Sequence, residues 1–109
     1  MNKVFVYGTL RPNLGETVKV RGQLFSLGRF PGIKLGMDGV VTCEVITVDD
    51  DELARLDRYE GYNPQNLQGS LYIRRRHEDG FIYNYNGSVR RMPLIESGDW
   101  FKYLENTNG

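Results

Sequence analysis

Apolar and polar residues alternate along most of this chain in runs of a length that suits strands. The first run, Val4-Phe5-Val6-Tyr7, barely alternates, which predicts a strand over Lys3 to Tyr7 buried on both faces. Gly8-Thr9 breaks it, and Arg11 to Gly15 reads as a loop. Val18 to Arg21 and Gln23 to Leu27 each predict a strand. Arg29-Phe30-Pro31-Gly32-Ile33 predicts a turn, because proline removes a donor and glycine permits positive φ. Val40 to Val48 is the longest β-rich run, with Val41, Cys43, Val45 and Thr47 on one face.

The period then changes. Asp49-Asp50-Asp51 can cap a helix and suits the positive end of its dipole. Leu53, Leu56 and Tyr59 fall at a spacing of three, and Gly61 is the natural left-handed stop, so a helix is predicted from about Asp50 to Tyr59. Tyr62 to Gly69 is polar, contains Pro64 and reads as a loop. Leu71 to Arg76 and Phe81 to Tyr85 flank His77-Glu78-Asp79-Gly80, a hairpin pattern with Asp79-Gly80 as its expected turn. The segment from Met92 to Leu104 ends in an aromatic cluster, Trp100, Phe101 and Tyr103, expected to dock on the sheet.

Six or seven short strands with one main helix make an α+β chain. So much sheet with so little helix must curl on itself to bury its apolar face. The expected fold is therefore a small mixed, partly closed β-barrel. Residues 1–105 form one domain in this reading. Residues 106–109 are a polar tail with nothing to bury, expected to be flexible.

Composition narrows the function classes. At 109 residues the chain holds one core, and no disulfide staple is needed at this size. The 14 basic and 14 acidic residues cancel, so no global field gathers nucleic acid or an anionic membrane, and a small-molecule partner is favoured. No window approaches the roughly 20 apolar residues of a membrane-spanning helix. The first residues lack the apolar core of a secretion signal. With Cys43 as the only cysteine, the cytoplasm is the expected compartment. Cys43 lies in a strand pattern and reads as a core residue. His77 is the only histidine and has no companion ligands in sequence, so no metal is expected. Arg74, Arg75 and Arg76 alternate faces on a strand and form no single basic patch.

Three features carry candidate chemistry, each with a plainer reading beside it. Glu60 ends the helix, where its charge opposes the dipole; it is either a solvated residue at a frayed end or a pocket acid of raised proton affinity, as a general base requires. Tyr7-Gly8-Thr9-Leu10 follows the first strand; Gly8 either turns the chain or lets a ligand approach backbone amides closely. Tyr72, Tyr83 and Tyr85 are either cross-strand packing or hydroxyls aimed into a pocket.

These features occur together in a recognisable order. The stretch from Val4 to Pro12, the stretch from Leu53 to Tyr62, Tyr72-Ile73-Arg74-Arg75 and Ser97-Gly98-Asp99-Trp100 resemble the γ-glutamylcyclotransferase-like superfamily, in its bacterial and plant branch, over roughly residues 3 to 104. The resemblance implies a small mixed β-barrel and a cofactor-independent cyclisation of a γ-glutamyl amide or amine to 5-oxoproline, with release of the amine. It implies Glu60 as general acid and base, and Tyr7, Gly8, Thr9 and Leu10 as substrate-binding residues; from the tyrosine set, Tyr85 is the further candidate for substrate binding. Only Arg11 to Thr17 separates the Tyr-Gly-Thr-Leu loop from the next strand, where many members carry a longer segment with a helix. The alternative is a non-catalytic small-molecule-binding or interaction domain of the same fold. A monomer or a weak homodimer is expected.

Overall fold

Within residues 1–108, which the computed structural model describes, the chain forms five strands and two helices. These are β1 (Asn2–Val6), β2 (Val18–Ser26), β3 (Pro31–Val48), α1 (Asp50–Tyr59), β4 (Tyr72–His77), β5 (Gly80–Tyr85) and α2 (Trp100–Asn108). The class is α+β and the sheet is mixed and curled, as expected.

The strand count falls to five because two expected strands merge. Val18–Arg21 and Gln23–Leu27 are one strand, β2, bent at a register shift between Arg21 and Gly22. Across that shift the partner on β3 jumps from Val40 to Leu35. Gly22 is needed there because a Cβ would sit 2.7 Å from the Lys34 carbonyl oxygen. The turn expected over Arg29–Ile33 closes earlier, with the Leu27 amide donating to the Phe30 carbonyl at 2.9 Å. Pro31 then opens β3, a position where a missing donor is tolerated.

The sheet order is β2-β3-β1-β5-β4. β1 runs antiparallel to the far half of β3, from Asn2 opposite Val48 to Val6 opposite Glu44, and parallel to β5. The near half of β3 meets β5 again, Ile33 opposite Asn84. One strand of 18 residues thus touches both sides of the β1–β5 pair, and the sheet rolls into a partly closed barrel. Side chains fasten that seam: Lys34 Nζ donates to the Tyr85 carbonyl at 2.8 Å, and the Leu35 amide donates to Asn84 Oδ1 at 2.9 Å.

Both faces of β1 are buried, which explains its poor alternation. Phe5 and Tyr7 join one core with Leu24, Ile33, Ile82 and Trp100. Val4 and Val6 join the other, with Tyr83, Val48 and Leu53 of α1. The β4–β5 turn is Glu78-Asp79, with the positive φ of 51° at Glu78 and not at Gly80. Gly80 already pairs with His77, and a Cβ on it would lie 2.6 Å from the Lys3 carbonyl oxygen. The glycine therefore serves contact with β1, not the turn.

The aromatic closing segment becomes the second helix, which the sequence pattern did not reveal. Asp99 caps it, Oδ1 accepting from the Phe101 and Lys102 amides at 3.0 and 3.3 Å. Residues 106–108 of the expected tail continue α2, and Gly109 lies outside the described residues.

Candidate active site

Glu60 owes its position to the two ends of α1. At the start, Asp49 and Glu52 form a reciprocal capping box, with the Glu52 amide donating to Asp49 Oδ1 at 2.8 Å. At the end, Gly61 adopts φ 67°, its amide donates to the Arg58 carbonyl at 3.1 Å, and the Tyr62 amide donates to the Asp57 carbonyl at 2.8 Å. That pair of bonds is a Schellman turn with Glu60 as the C-cap residue. Glu60 is therefore held in a defined backbone geometry, not on a frayed end. The Leu71 amide, donating to the Gly61 carbonyl at 2.9 Å, ties this turn to the approach to β4.

The side chain faces a cavity of about 260 Å³ at the C-terminal end of β1. Phe5, Val6 and the loop Tyr7-Gly8-Thr9-Leu10 form one wall, and Tyr72 and Tyr83 form another. Phe30, Pro31, Tyr59 and Leu71 complete the lining. Glu60 is the only formally charged side chain among these residues. Burial against this apolar lining raises its pKa from 4.5 to about 7. Its charge also reaches Tyr7, Tyr72 and Tyr83, in each of which burial is the larger cause of a raised pKa. All three phenols stay protonated near neutrality.

Each of those hydroxyl protons is already committed. Tyr7 donates to the Tyr83 carbonyl, Tyr72 to the Pro31 carbonyl and Tyr83 to Asp57 Oδ1, each at 2.6 Å. The oxygens remain free only as acceptors, which suits a cationic group such as an ammonium beside Glu60. Asp57 also accepts from Arg74 at 2.9 Å, so one carboxylate a turn before Glu60 ties α1 to both strands of the hairpin. Sequence reasoning missed Asp57; its place one turn before Glu60 on the helix was the available signal.

Tyr85 is the one expected site residue that does not line the cavity. It is part of the tyrosine set but sits behind the wall, its ring edge-on to Tyr72 at 5.6 Å and in the path of any Cβ on Gly32. The period-two pattern puts Tyr83 and Tyr85 on one face, but the curl of the sheet leaves only Tyr83 at the cavity.

Gly8 is not a left-handed residue. Its hydrogen leaves room for Pro31, whose Cγ would lie 3.0 Å from a Cβ at this position. A tight turn follows, the Arg11 amide donating to the Gly8 carbonyl at 3.0 Å. Among the described residues, the amides of Gly8, Thr9 and Leu10 meet no protein acceptor. They are available to an anion or a developing oxyanion.

The far end of this loop is anchored by a buried ionic cluster. Arg11 Nε meets Glu44 Oε2 at 2.6 Å and its NH1 meets Asp99 Oδ1 at 2.9 Å, while the Phe101 ring covers the guanidinium at 4.2 Å. Burial opposes the charge on Asp99, but the bonds from Arg11 and the α2 amides hold its pKa below the usual value. The cluster joins loop, β3 and α2, and so fixes the backbone that carries the free amides. Among the described residues, no group of three His, Cys, Asp or Glu side chains is placed to hold a metal ion, and no helix is long and apolar enough to cross a membrane. Cys43 is fully buried, and burial pushes its thiol up to about 12.

Comparison with known proteins places these features in a family. The profile of the family described as "Gamma-glutamyl cyclotransferase, AIG2-like" matches residues 4–102. The chain is 33% identical over 114 residues to the γ-glutamylcyclotransferase family protein YtfP of Escherichia coli K12, covering 90% of this chain and 95% of that protein. It superposes on the solution NMR structure of E. coli YtfP with a TM-score of 0.70 at 32% identity, over 93% of this chain and 97% of the other. The crystal structure of an uncharacterized protein from Pyrococcus horikoshii shares the fold, with a TM-score of 0.73 at 20% identity over 99% and 97% of the two chains.

Proposed function

This chain belongs to the AIG2-like γ-glutamyl cyclotransferase family, and from that premise we propose that it cyclises a γ-glutamyl amide or amine to 5-oxoproline and releases the amine. The observation that carries the reading is Glu60, fixed by its turn in an apolar cavity with a pKa of about 7, in the same wall system as the free amides of Gly8 to Leu10.

The reaction is an intramolecular aminolysis. Glu60 takes a proton from the substrate's α-ammonium. The freed nitrogen attacks the γ-carbonyl carbon, forming the ring C–N bond while the carbonyl electron pair moves to oxygen. The loop amides supply donors for the oxyanion. On collapse the bond to the leaving nitrogen breaks as that nitrogen receives the proton held on Glu60; the ring nitrogen then gives up its second proton through the same carboxylate to the departing amine, which leaves as an ammonium. The products are 5-oxoproline and a free amine, and Glu60 returns to its starting state. The nucleophile is tethered, so the protein supplies conformation, a base and oxyanion stabilisation, and no cofactor enters the balance.

The test measures 5-oxoproline release from a panel of γ-glutamyl peptides and amines, wild type beside Glu60→Gln. Wild type is expected to release product, and the variant to lose about 100- to 10,000-fold in kcat. Equal turnover by the two proteins would remove Glu60 from the chemistry. Thermal stabilisation by the panel with no release from any member would identify a binding domain of the same fold.

A further inference from the structure

The cavity has two chemically different ends. One carries the buried tyrosines Tyr7, Tyr72 and Tyr83 with half-buried Glu60, beside the Gly8–Leu10 loop, of which Thr9 is exposed. The mouth carries Phe30, Tyr59 and Leu71, which all line the cavity yet remain 42%, 67% and 44% exposed. Apolar groups this exposed, gathered around one opening from three separate segments, form a surface that a ligand would cover. Among the described residues, no lysine or arginine lines the cavity. Arg29 and Arg58 adjoin the rim residues in sequence but are exposed and outside the wall, where an ion pair is weak and screened.

Resting on the cyclotransferase reading, we infer that Phe30, Tyr59 and Leu71 form the leaving-group subsite, and that it takes an apolar, preferably aromatic, amine without a carboxylate. The γ-glutamyl end must lie beside Glu60 and the Gly8–Leu10 loop, because the γ-carbonyl has to meet both. The leaving nitrogen then points toward the mouth, and its substituent lies against the rim. An aromatic substituent removes apolar surface from water on both sides of that contact. An amino-acid leaving group would instead carry its carboxylate into an apolar mouth where the charged lining residue, Glu60, is an anion in its base form. Desolvation and repulsion act together against it.

The experiment compares γ-glutamylbenzylamide, γ-glutamylmethylamide and γ-glutamylglycine. It reads kcat/KM from 5-oxoproline release with wild type, and affinity by calorimetry with Glu60→Gln. The expected order is benzylamide, methylamide, glycine, with about tenfold or more between the first and last. The methylamide separates the two causes: the benzyl group adds contact, and the glycine adds charge. Leu71→Lys and, independently, Phe30→Lys place a cation at the mouth and are expected to narrow or invert the benzylamide-to-glycine ratio. A γ-glutamylglycine kcat/KM equal to or above that of the benzylamide overturns the inference and leaves the cyclotransferase reading standing. If no compound releases 5-oxoproline, that reading falls, and the affinities still decide the subsite. Tighter benzylamide binding keeps it as a ligand preference, and equal or weaker binding ends it.

Discussion

At the residue scale the deciding fact is that Glu60 is a charge in the wrong place for stability. It lies at the negative end of a helix and in an apolar wall, and both disfavour ionisation. Its folded pKa of about 7 exceeds its ordinary 4.5, so between those values the native state holds a proton that the unfolded chain has lost. The sign follows: this residue's contribution to stability falls as pH rises from about 4.5 through about 7, and above that the fold carries a buried charge. Glu60→Gln is thus expected to gain thermal stability relative to wild type on moving from pH 5 to pH 8, seen as a widening Tm difference. A difference that stays constant over that range would mean the carboxylate is solvated. The same titration predicts that wild-type kcat/KM rises with pH through an apparent pKa near 7. The other residue-scale lesson concerns glycine. Gly80 reads as a turn former and Gly8 as a turn former or a point of ligand approach, yet Gly80 is required by the Lys3 carbonyl, and a Cβ on Gly8 would crowd the Pro31 ring.

At the element scale, α1 was legible because its signals are local. The capping aspartate, the spacing of Leu53 and Leu56, and Gly61 all lie within one stretch, and the observed helix has the expected bounds. α2 was not, because its start depends on Gly98 and Asp99 meeting distant partners. Gly98 has φ 66°, its carbonyl accepts from the Thr42 amide at 2.7 Å, and a Cβ there would strike the Val40 carbonyl oxygen. Gly98→Ala combines left-handed strain with overpacking against backbone that cannot give way. It is expected to cost about 2–4 kcal/mol in denaturant unfolding. A loss below about 0.5 kcal/mol, the size of an ordinary surface change, would show that the junction repacks freely.

At the scale of the whole molecule, the barrel's closure and its loop geometry depend on polar groups taken out of water. Arg11, Glu44 and Asp99 come from three separate regions of the chain, and Glu44 is 2% exposed. Among the described residues, removing the cation leaves Glu44 buried with only the Leu14 amide, at 3.2 Å, still donating to it. Arg11→Ala is therefore expected to cost about 3–5 kcal/mol and to lower Tm by more than 10 °C, on the scale of roughly 4–8 °C per kcal/mol for a domain of this size. Arg11→Met combined with Glu44→Leu should recover much of that loss, because the buried Glu44 charge is gone and Asp99 keeps the Phe101 and Lys102 amides. A single variant within 1 kcal/mol of wild type would show that water reaches the cluster. The cluster also carries the loop amides, so Arg11→Ala is expected to weaken substrate handling at temperatures where the protein is still folded.

What local physics controls can be read along the chain. That includes the α+β class, the main helix with its caps, the hairpin and the neutral charge balance; Glu60 and the Tyr-Gly-Thr-Leu loop were joined only by the family resemblance. The tertiary structure decided what depends on curvature and on contacts far apart in the chain. Two predicted strands became one because Gly22 lets β2 bend across a register shift, and short-range alternation cannot tell a bend from a break. Tyr83 rather than Tyr85 reached the cavity because a rolled sheet does not present every second residue to one place. Asp57 joined α1 to the hairpin, and Arg11 joined a loop to β3 and α2, through pairings that no spacing along the chain encodes. Periodicity reports which face of an element is buried; only closure of the barrel sets which buried groups meet.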